Sequence, residues 1–246
     1  MTEDFQRRGL HSSDLENYSA RIETEQPELQ RNLTGIYEEA ARKAGLDRSL
    51  WMIQSGGDGE LAVLPGAQSL IPVIDEFPRA LSEALAAHNE TARPAMRMRM
   101  RLALHEGLCR PAAGGFAGAG VITVSRMVDS DITRAALRAC PEADLVVLLS
   151  PTLYNEYVVQ GHTSLSGQEY REVEIKTKKF TGTAWMYLPG QNVHGLALDV
   201  PPPTPETPAR EPESPARPEP ATFSTTVHDG VHGDGHVFGA VYQSGR

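Results

Sequence analysis

The stretch Gln54-Ser55-Gly56-Gly57-Asp58-Gly59-Glu60 lies between two short apolar runs, Trp51-Met52-Ile53 and Leu61-Ala62-Val63-Leu64. Two strand-like runs separated by a glycine-rich segment predict a β-hairpin, because glycine readily adopts the positive φ angles of a tight connection. The hairpin presents Asp58 at its tip. A carboxylate on a rigid turn suits a divalent cation, which prefers oxygen ligands. Gly-Asp-Gly is also common in ordinary turns, so this motif alone favours interpreting Asp58 as a turn residue.

The 246 residues divide into a folded part and an appendage. Half of the 18 prolines lie between Pro201 and Pro220, in a segment with almost nothing apolar to bury. Such a segment favours an extended linker. We therefore predict a folded domain over residues 9–190, a proline-rich linker over 191–222 and a short tail over 223–246.

Charge and composition exclude several functional classes. The net charge of -9 argues against general nucleic-acid binding, which requires a basic surface. The two cysteines, Cys109 and Cys140, give no disulfide framework and favour a reducing compartment. The sequence has neither an apolar run of about eighteen residues nor a signal-peptide pattern. We expect a cytoplasmic protein without a membrane segment.

The periodicity of apolar residues predicts the elements on either side of the hairpin. Residues 9–15 form a strand candidate, and residues 26–44 have helical spacing with a stop at Gly45. Residues 70–88 predict two helical pieces, the longer one starting near Pro78, because proline removes a backbone donor. Residues 96–105 alternate, with methionine and leucine on a core face and arginine predominating on the other, which we expect to be solvated.

The order strand, helix, strand, strand, helix, strand is the ferredoxin-like split βαβ plan, an α+β fold in which an antiparallel sheet carries two helices on one face. Further elements can share the same core. They are a glycine-rich loop at 114–120, helices at 121–128 and 131–139, a buried strand at 145–150, a helix at 152–160, and a closing strand pair at 171–176 and 183–187.

Five segments together resemble the catalytic domain of the class III nucleotidyl cyclases, the family of adenylate and guanylate cyclases. They are Ser13 to Ser19, Gly57-Asp58-Gly59, Arg101 to Gly107, Gly118 to Met127 and Lys179 to Tyr187. The resemblance covers roughly residues 9 to 188. It rests on the order and spacing of these segments, since each is short and weakly specific by itself.

The resemblance implies a site that acts on a nucleoside triphosphate. Asp14 and Asp58 match the two family carboxylates that hold Mg²⁺ or Mn²⁺ across the triphosphate. Arg126 matches the arginine that neutralises charge developing on the phosphate in the transition state. The family completes this site across a head-to-tail dimer, so a homodimer is also implied. Without the resemblance, Asp14 and Asp58 could be loop carboxylates and Arg126 a surface helix residue.

Three substrate-binding positions depart from the family pattern. Gln54 stands where many adenylate cyclases have a base-reading lysine, Ala119 where they have a base-reading aspartate, and Ile122 where they have a ribose-orienting asparagine. Alanine and isoleucine side chains cannot hydrogen-bond to a base or a ribose. The domain therefore either binds a metal–nucleotide complex with impaired or altered catalysis or is an active cyclase that uses another base or dimer arrangement. The sequence leaves open whether it is an enzyme.

The tail over residues 223–246 alternates valine, phenylalanine and tyrosine with small residues, a pattern that can stack in register with its own copies. It resembles the amyloid-type signalling motifs at the ends of bacterial defence and cell-death proteins. This implies a sensor partner with a matching motif. A disordered tail is the alternative. His228, His232 and His236 have metal-face spacing for a helix, but the intervening glycines disfavour one.

Overall fold

A computed structural model of the chain describes residues 4–177 and 180–200. Eight strands form a single sheet: β1 Gln6–Leu15, β2 Met52–Ser55, β3 Gly59–Val63, β4 Met100–Ala112, β5 Gly115–Ala117, β6 Leu145–Leu149, β7 Arg171–Thr177 and β8 Phe180–Tyr187. The α-helices are α1 Gln26–Lys43, α2 Ile71–Ile74, α3 Glu76–Thr91, α4 Ala119–Val128, α5 Asp131–Ala139 and α6 Pro151–Leu153, the last continuing as a π-helical turn over Tyr154–Val158.

The sheet has the strand order β2-β3-β1-β4-β6-β8-β7, with β5 paired to β4. The α+β fold class is confirmed, but the sheet is mixed because β6 runs parallel to β4. The predicted hairpin is present as β2 and β3. Its three-residue connection is closed by a hydrogen bond of 2.9 Å from the backbone nitrogen of Gly56 to the carbonyl oxygen of Gly59. Gly57 has a φ of 87°, as a tight connection requires.

Helices cover both faces of the sheet, where the sequence predicted two helices on one face. Alternate residues of β4 show this: Leu102 and Leu104 pack with α1 and α3, whereas Ala103 packs with α4 and α5. The parallel strand β6 is apolar on both faces and fully buried, as expected of a strand between two helical layers. The prediction missed the second layer because it stopped the split βαβ count at β4.

The two helical pieces predicted over residues 70–88 are present as α2 and α3. The longer one starts near Pro78, as expected: α3 begins at Glu76 with Pro78 in its first turn, where its missing N–H removes no helical hydrogen bond. Two other details of the predicted elements are wrong. Strand β4 begins at Met100, four residues later than predicted, after a 3₁₀ turn over Pro94–Met96. The glycine-rich loop contains the short strand β5.

Helix α1 shows why a prediction from helical periodicity was confirmed. One buried face of the helix carries Leu29, Leu33, Ile36 and Ala40. Gly45 follows the helix with a φ of 67°, a conformation that glycine adopts without strain.

In the described part of the chain, the helices are each too short or too polar to cross a bilayer. The predicted linker and tail, apart from residues 191–200, lie outside the described residues.

Candidate functional site

Asp14 and Asp58 lie at the same end of two neighbouring strands: Asp14 is near the end of β1, and Asp58 directly precedes β3. Asp14 lies opposite Gly59 in the antiparallel pairing of β1 with β3, so it is next to the residue that follows Asp58. The backbone nitrogen of Leu15 donates a hydrogen bond of 2.7 Å to the carbonyl oxygen of Asp58. Both aspartates are partly exposed. The backbones of two aspartates more than forty positions apart in sequence thus lie at neighbouring strand ends. A metal site shared by their carboxylates stays a prediction.

A buried cluster of polar side chains connects β1 and β3 on the face of the sheet that α1 covers. Glu60 accepts a hydrogen bond of 2.5 Å from Arg48, and His11 Nε2 lies 2.9 Å from Glu60 Oε1. The side chain of Glu60 is 4 % exposed. Burial by itself raises the pKa of Glu60, but the contacts with Arg48 and His11 outweigh it and lower the pKa to about 2. Glu60 is therefore a buried carboxylate that is ionised at neutral pH.

The same cluster explains the polar residues of β1. Ser13 and Tyr37 share a hydrogen bond of 2.6 Å between their hydroxyls, and the backbone nitrogen of Glu60 donates to Ser13 Oγ at 3.3 Å. His11 is fully buried with its ring centroid 5.7 Å from that of Phe77. Sequence reasoning missed these residues. The usable signal was the spacing of His11, Ser13 and Leu15, which lie on the opposite face of β1 from Asp14.

A cavity of about 250 Å³ lies between the hairpin and α1. Its lining includes the backbone of Gly57 and Gly59 and the side chains of Tyr37, Ser55 and Glu60, with polar residues of α1 on the other wall. The cavity lies on the α1 face of the sheet, opposite the side chain of Asp14, and its lining includes neither Asp14 nor Asp58.

Asp14 forms an ion pair with Arg101 of β4, which lies directly opposite it in the β1–β4 pairing. The side chain of Arg101 is 8 % exposed, so the expectation of a solvated arginine row fails at this position. Arg99 is not free in solvent either, because it donates hydrogen bonds to three backbone carbonyls and to the carboxylate of Glu16. The row is solvated only at Arg97, whose side chain is half exposed.

Arg126 lies near the end of α4. Its Nη1 donates a hydrogen bond of 3.3 Å to Thr177 Oγ1 at the end of β7. In the sheet, β7 is four strands from β1. Within the described residues, the hydrogen bond of the Arg126 side chain goes to the end of β7 and not to Asp14 or Asp58. A role for Arg126 across a homodimer stays a prediction.

The three positions that depart from the family pattern lie on two elements, Gln54 on β2 and Ala119 and Ile122 on α4. The side chain of Gln54 rests against Gly115, where a Cβ would approach Gln54 Oε1 to 2.0 Å. Ala119 begins α4 only four residues after Gly115 and is exposed. Ile122 is 55 % exposed on the next turn. The region presents one carboxamide and two apolar side chains at these positions.

The residues at the edge fit a magnesium or manganese ion by the chemistry of their donors. Asp14 and Asp58 offer hard carboxylate oxygens, and both are reachable from solvent. Within residues 4–177 and 180–200, no group of three or more acidic, histidine or cysteine side chains is gathered as a complete metal cage. Mg²⁺ does not require one, because it is commonly bound by one or two carboxylates with water and substrate phosphates as the other ligands.

No protein-family model and no curated protein match this sequence. Solved structures do. The fold is similar to that of the guanylyl cyclase Cya2, at a TM-score of 0.53 and 14% identity over 81% of this chain and 100% of that chain. It is also similar to an adenylate/guanylate cyclase/hydrolase from Silicibacter pomeroyi, at a TM-score of 0.54 and 18% identity over 77% of this chain and 100% of the other. At these identities the likeness confirms a cyclase-type fold.

Proposed function

We propose that the domain over residues 9–190 binds a nucleoside triphosphate together with Mg²⁺ or Mn²⁺ at the edge where β1 meets β3, with impaired or altered catalysis. The observation that carries this proposal is the convergence of Asp14 and Asp58 on adjacent strand ends of a cyclase-type fold.

The proposed weakness in catalysis follows from the substrate-orienting positions. Cyclisation requires the ribose 3′-hydroxyl to be aligned with the α-phosphorus, and small misalignments cost large factors in rate. Ala119 and Ile122 provide no hydrogen bond to a base or a ribose. A bound metal ion would supply the positive charge that favours ionisation of the 3′-hydroxyl and offsets the charge of the phosphates. Asp14 and Asp58 would hold it, and Arg126 of a second copy would reach the phosphate.

The second candidate is an active nucleotidyl cyclase that makes a cyclic nucleotide from a nucleoside triphosphate. It is favoured by the retention of both carboxylates and Arg126 and by Gln54, whose carboxamide can both donate and accept hydrogen bonds to a base. In this case, the homodimer would read the base differently from the adenylate cyclases.

The two candidates are separated by incubating the purified full chain with Mn²⁺ and each of the four ribonucleoside triphosphates, at protein concentrations that allow dimers. Binding without a cyclic product supports the first, and a product that Asp58→Ala removes supports the second. Asp199→Ala is the matched control, since Asp199 is exposed and far along the chain from the acidic pair. Neither binding nor product with any nucleotide would refute both.

The tail adds a proposal of its own. We infer that residues 223–246 assemble with copies of themselves or with a sensor protein that carries a matching motif. Tethering through the proline-rich linker would then raise the local concentration of the domains and favour their dimerisation. A peptide of residues 223–246 that stays monomeric and thioflavin-negative for days at high concentration would contradict this inference.

A further inference from the structure

The ion pair between Asp14 and Arg101 has an asymmetric environment. Arg101 is almost completely enclosed, with 8 % of its side chain exposed, whereas 26 % of the Asp14 side chain is exposed. Arg101 Nη2 contacts Asp14 Oδ2, and that oxygen is buried. The exposed part of the Asp14 carboxylate is therefore its other oxygen, Oδ1. Oδ1 is the oxygen left available to a ligand.

Arg101 has no other acidic partner within ion-pair distance in the described part of the chain. Its Nε and Nη1 are buried without a hydrogen-bond partner among the described residues. An arginine side chain keeps its positive charge at neutral pH in proteins. A buried cation in this situation depends on the carboxylate of Asp14 for compensation.

The pairing also restricts the carboxylate geometrically. Asp14 and Arg101 are directly opposed on two central strands, so their Cα atoms are fixed by the β1–β4 hydrogen bonds. A guanidinium holds a carboxylate oxygen in a narrow range of directions because its N–H groups lie in a rigid plane. Carboxylates that bind metals are commonly oriented in this way by a second group that never touches the metal.

We propose that Arg101 is a positioning residue for the metal site: it holds Asp14 Oδ2 inward and so directs Oδ1 toward the edge where Asp58 lies. This inference rests on the proposed function, since it assigns a role toward the metal that Asp14 and Asp58 would bind. Arg101 itself touches neither metal nor nucleotide.

The test is Mn²⁺ binding to the full chain, measured by electron paramagnetic resonance of the free ion, so that no turnover is needed. Arg101→Met should weaken Mn²⁺ affinity about 10–100-fold, the usual cost of losing such an orienting group. Arg101→Lys should recover part of the loss, since it restores the charge but not the planar fork. Arg97→Met is the matched control and should bind Mn²⁺ like the unaltered protein, because Arg97 is half exposed and pairs with Asp144.

Thermal unfolding supplies a second readout. Asp14→Asn should lower the melting temperature by several degrees, and the same change should cost less in the Arg101→Met background, where no buried cation is left uncompensated. Coupling in stability with unchanged Mn²⁺ affinity in folded Arg101→Met would reduce Arg101 to a structural counter-ion and overturn the proposal. Tighter binding would overturn it too, because Arg101 would then compete with the metal.

Failure of the proposed function has a different signature. If the unaltered chain and every arginine variant all fail to bind Mn²⁺, while the melting temperatures still show the coupling, then the acidic pair is not a metal site and both proposals fall. If the unaltered chain binds and Arg101→Met binds equally well, only the positioning role falls.

Discussion

The backbone nitrogen of Leu15 donates a 2.7 Å hydrogen bond to the carbonyl oxygen of Asp58. This bond extends the β1–β3 pairing by one step beyond the strand proper, to the base of the hairpin tip. Since Asp14 directly precedes Leu15, the bond fixes the distance between the backbones of the two aspartates. The acidic pair is therefore as rigid as the sheet that carries it, which is the property that a site for a hard cation requires.

Introducing hydrogen-bonding side chains at Ala119 and Ile122, where the chain departs from the family pattern, should raise the turnover rate. In the double variant Ala119→Asp and Ile122→Asn, both new side chains lie at exposed positions of α4, so we expect little change in stability. If misorientation of the substrate limits the reaction, formation of cyclic nucleotide with Mn²⁺ should increase about 10-fold or more. The measurement is product formation by chromatography for each nucleotide.

The control for this gain is Ile122→Ala, which shortens the same side chain without adding a polar group and should leave turnover unchanged. An unchanged rate in the double variant, with nucleotide affinity preserved, would mean that orientation is not what limits the chemistry. The arrangement of the dimer would then be the next candidate.

Glu60 should make the stability of the domain depend on acidic pH. Its pKa is lowered from 4.5 to about 2 by Arg48 and His11, against the opposing effect of burial. A lowered pKa gives stability that is present above the unfolded value and is lost as the pH falls through the folded one. We expect a loss of about 3 kcal/mol between pH 4.5 and 2 from this group, measured by urea unfolding.

Glu60→Gln should flatten that part of the pH profile. It should also destabilise the domain at pH 7, because Arg48 and His11 lose the carboxylate that they contact. Glu39→Gln is a suitable comparison, since Glu39 is on the solvent side of α1 and is paired with Arg42. A steep acid transition that persists in Glu60→Gln would assign it to other carboxylates.

Gly59 is required where β1 and β3 approach each other. A Cβ at this position would lie 1.9 Å from the carbonyl oxygen of Ser13 and 2.9 Å from Asp14 Cα. Both are backbone atoms and cannot move without separating the strands. Gly59→Ala should therefore cost roughly 2 kcal/mol or more, measured by urea unfolding, and should weaken Mn²⁺ binding by displacing Asp14.

The matched substitution is Gly35→Ala in α1, where a Cβ meets nothing within 4 Å. Because glycine is unfavourable in the interior of a helix, this change should stabilise the domain by about 0.5–1 kcal/mol. If the two substitutions changed the free energy of unfolding equally, the close approach of the strands at Gly59 would not be what makes glycine necessary there.

The sequence by itself determined the type and order of most elements, because amphipathic helices and alternating strands reveal themselves within a window of ten to fifteen residues. Helix α1 and the hairpin were predictable for this reason, and so was the closing pair of β7 and β8. The order and spacing of five short motifs, two of them around Asp14 and Asp58, were also sufficient to predict a cyclase-type fold, since their order along the chain is itself a constraint on topology.

Only the tertiary structure decided what each charged residue faces. A sequence pattern assigns Arg101 and Arg97 to the same face of a strand, but cross-strand register encloses Arg101 against Asp14 and leaves Arg97 exposed. The pairing of His11 with Glu60 has the same origin. The partner of a buried charge is set by contacts between distant segments, and no local period in the chain encodes them.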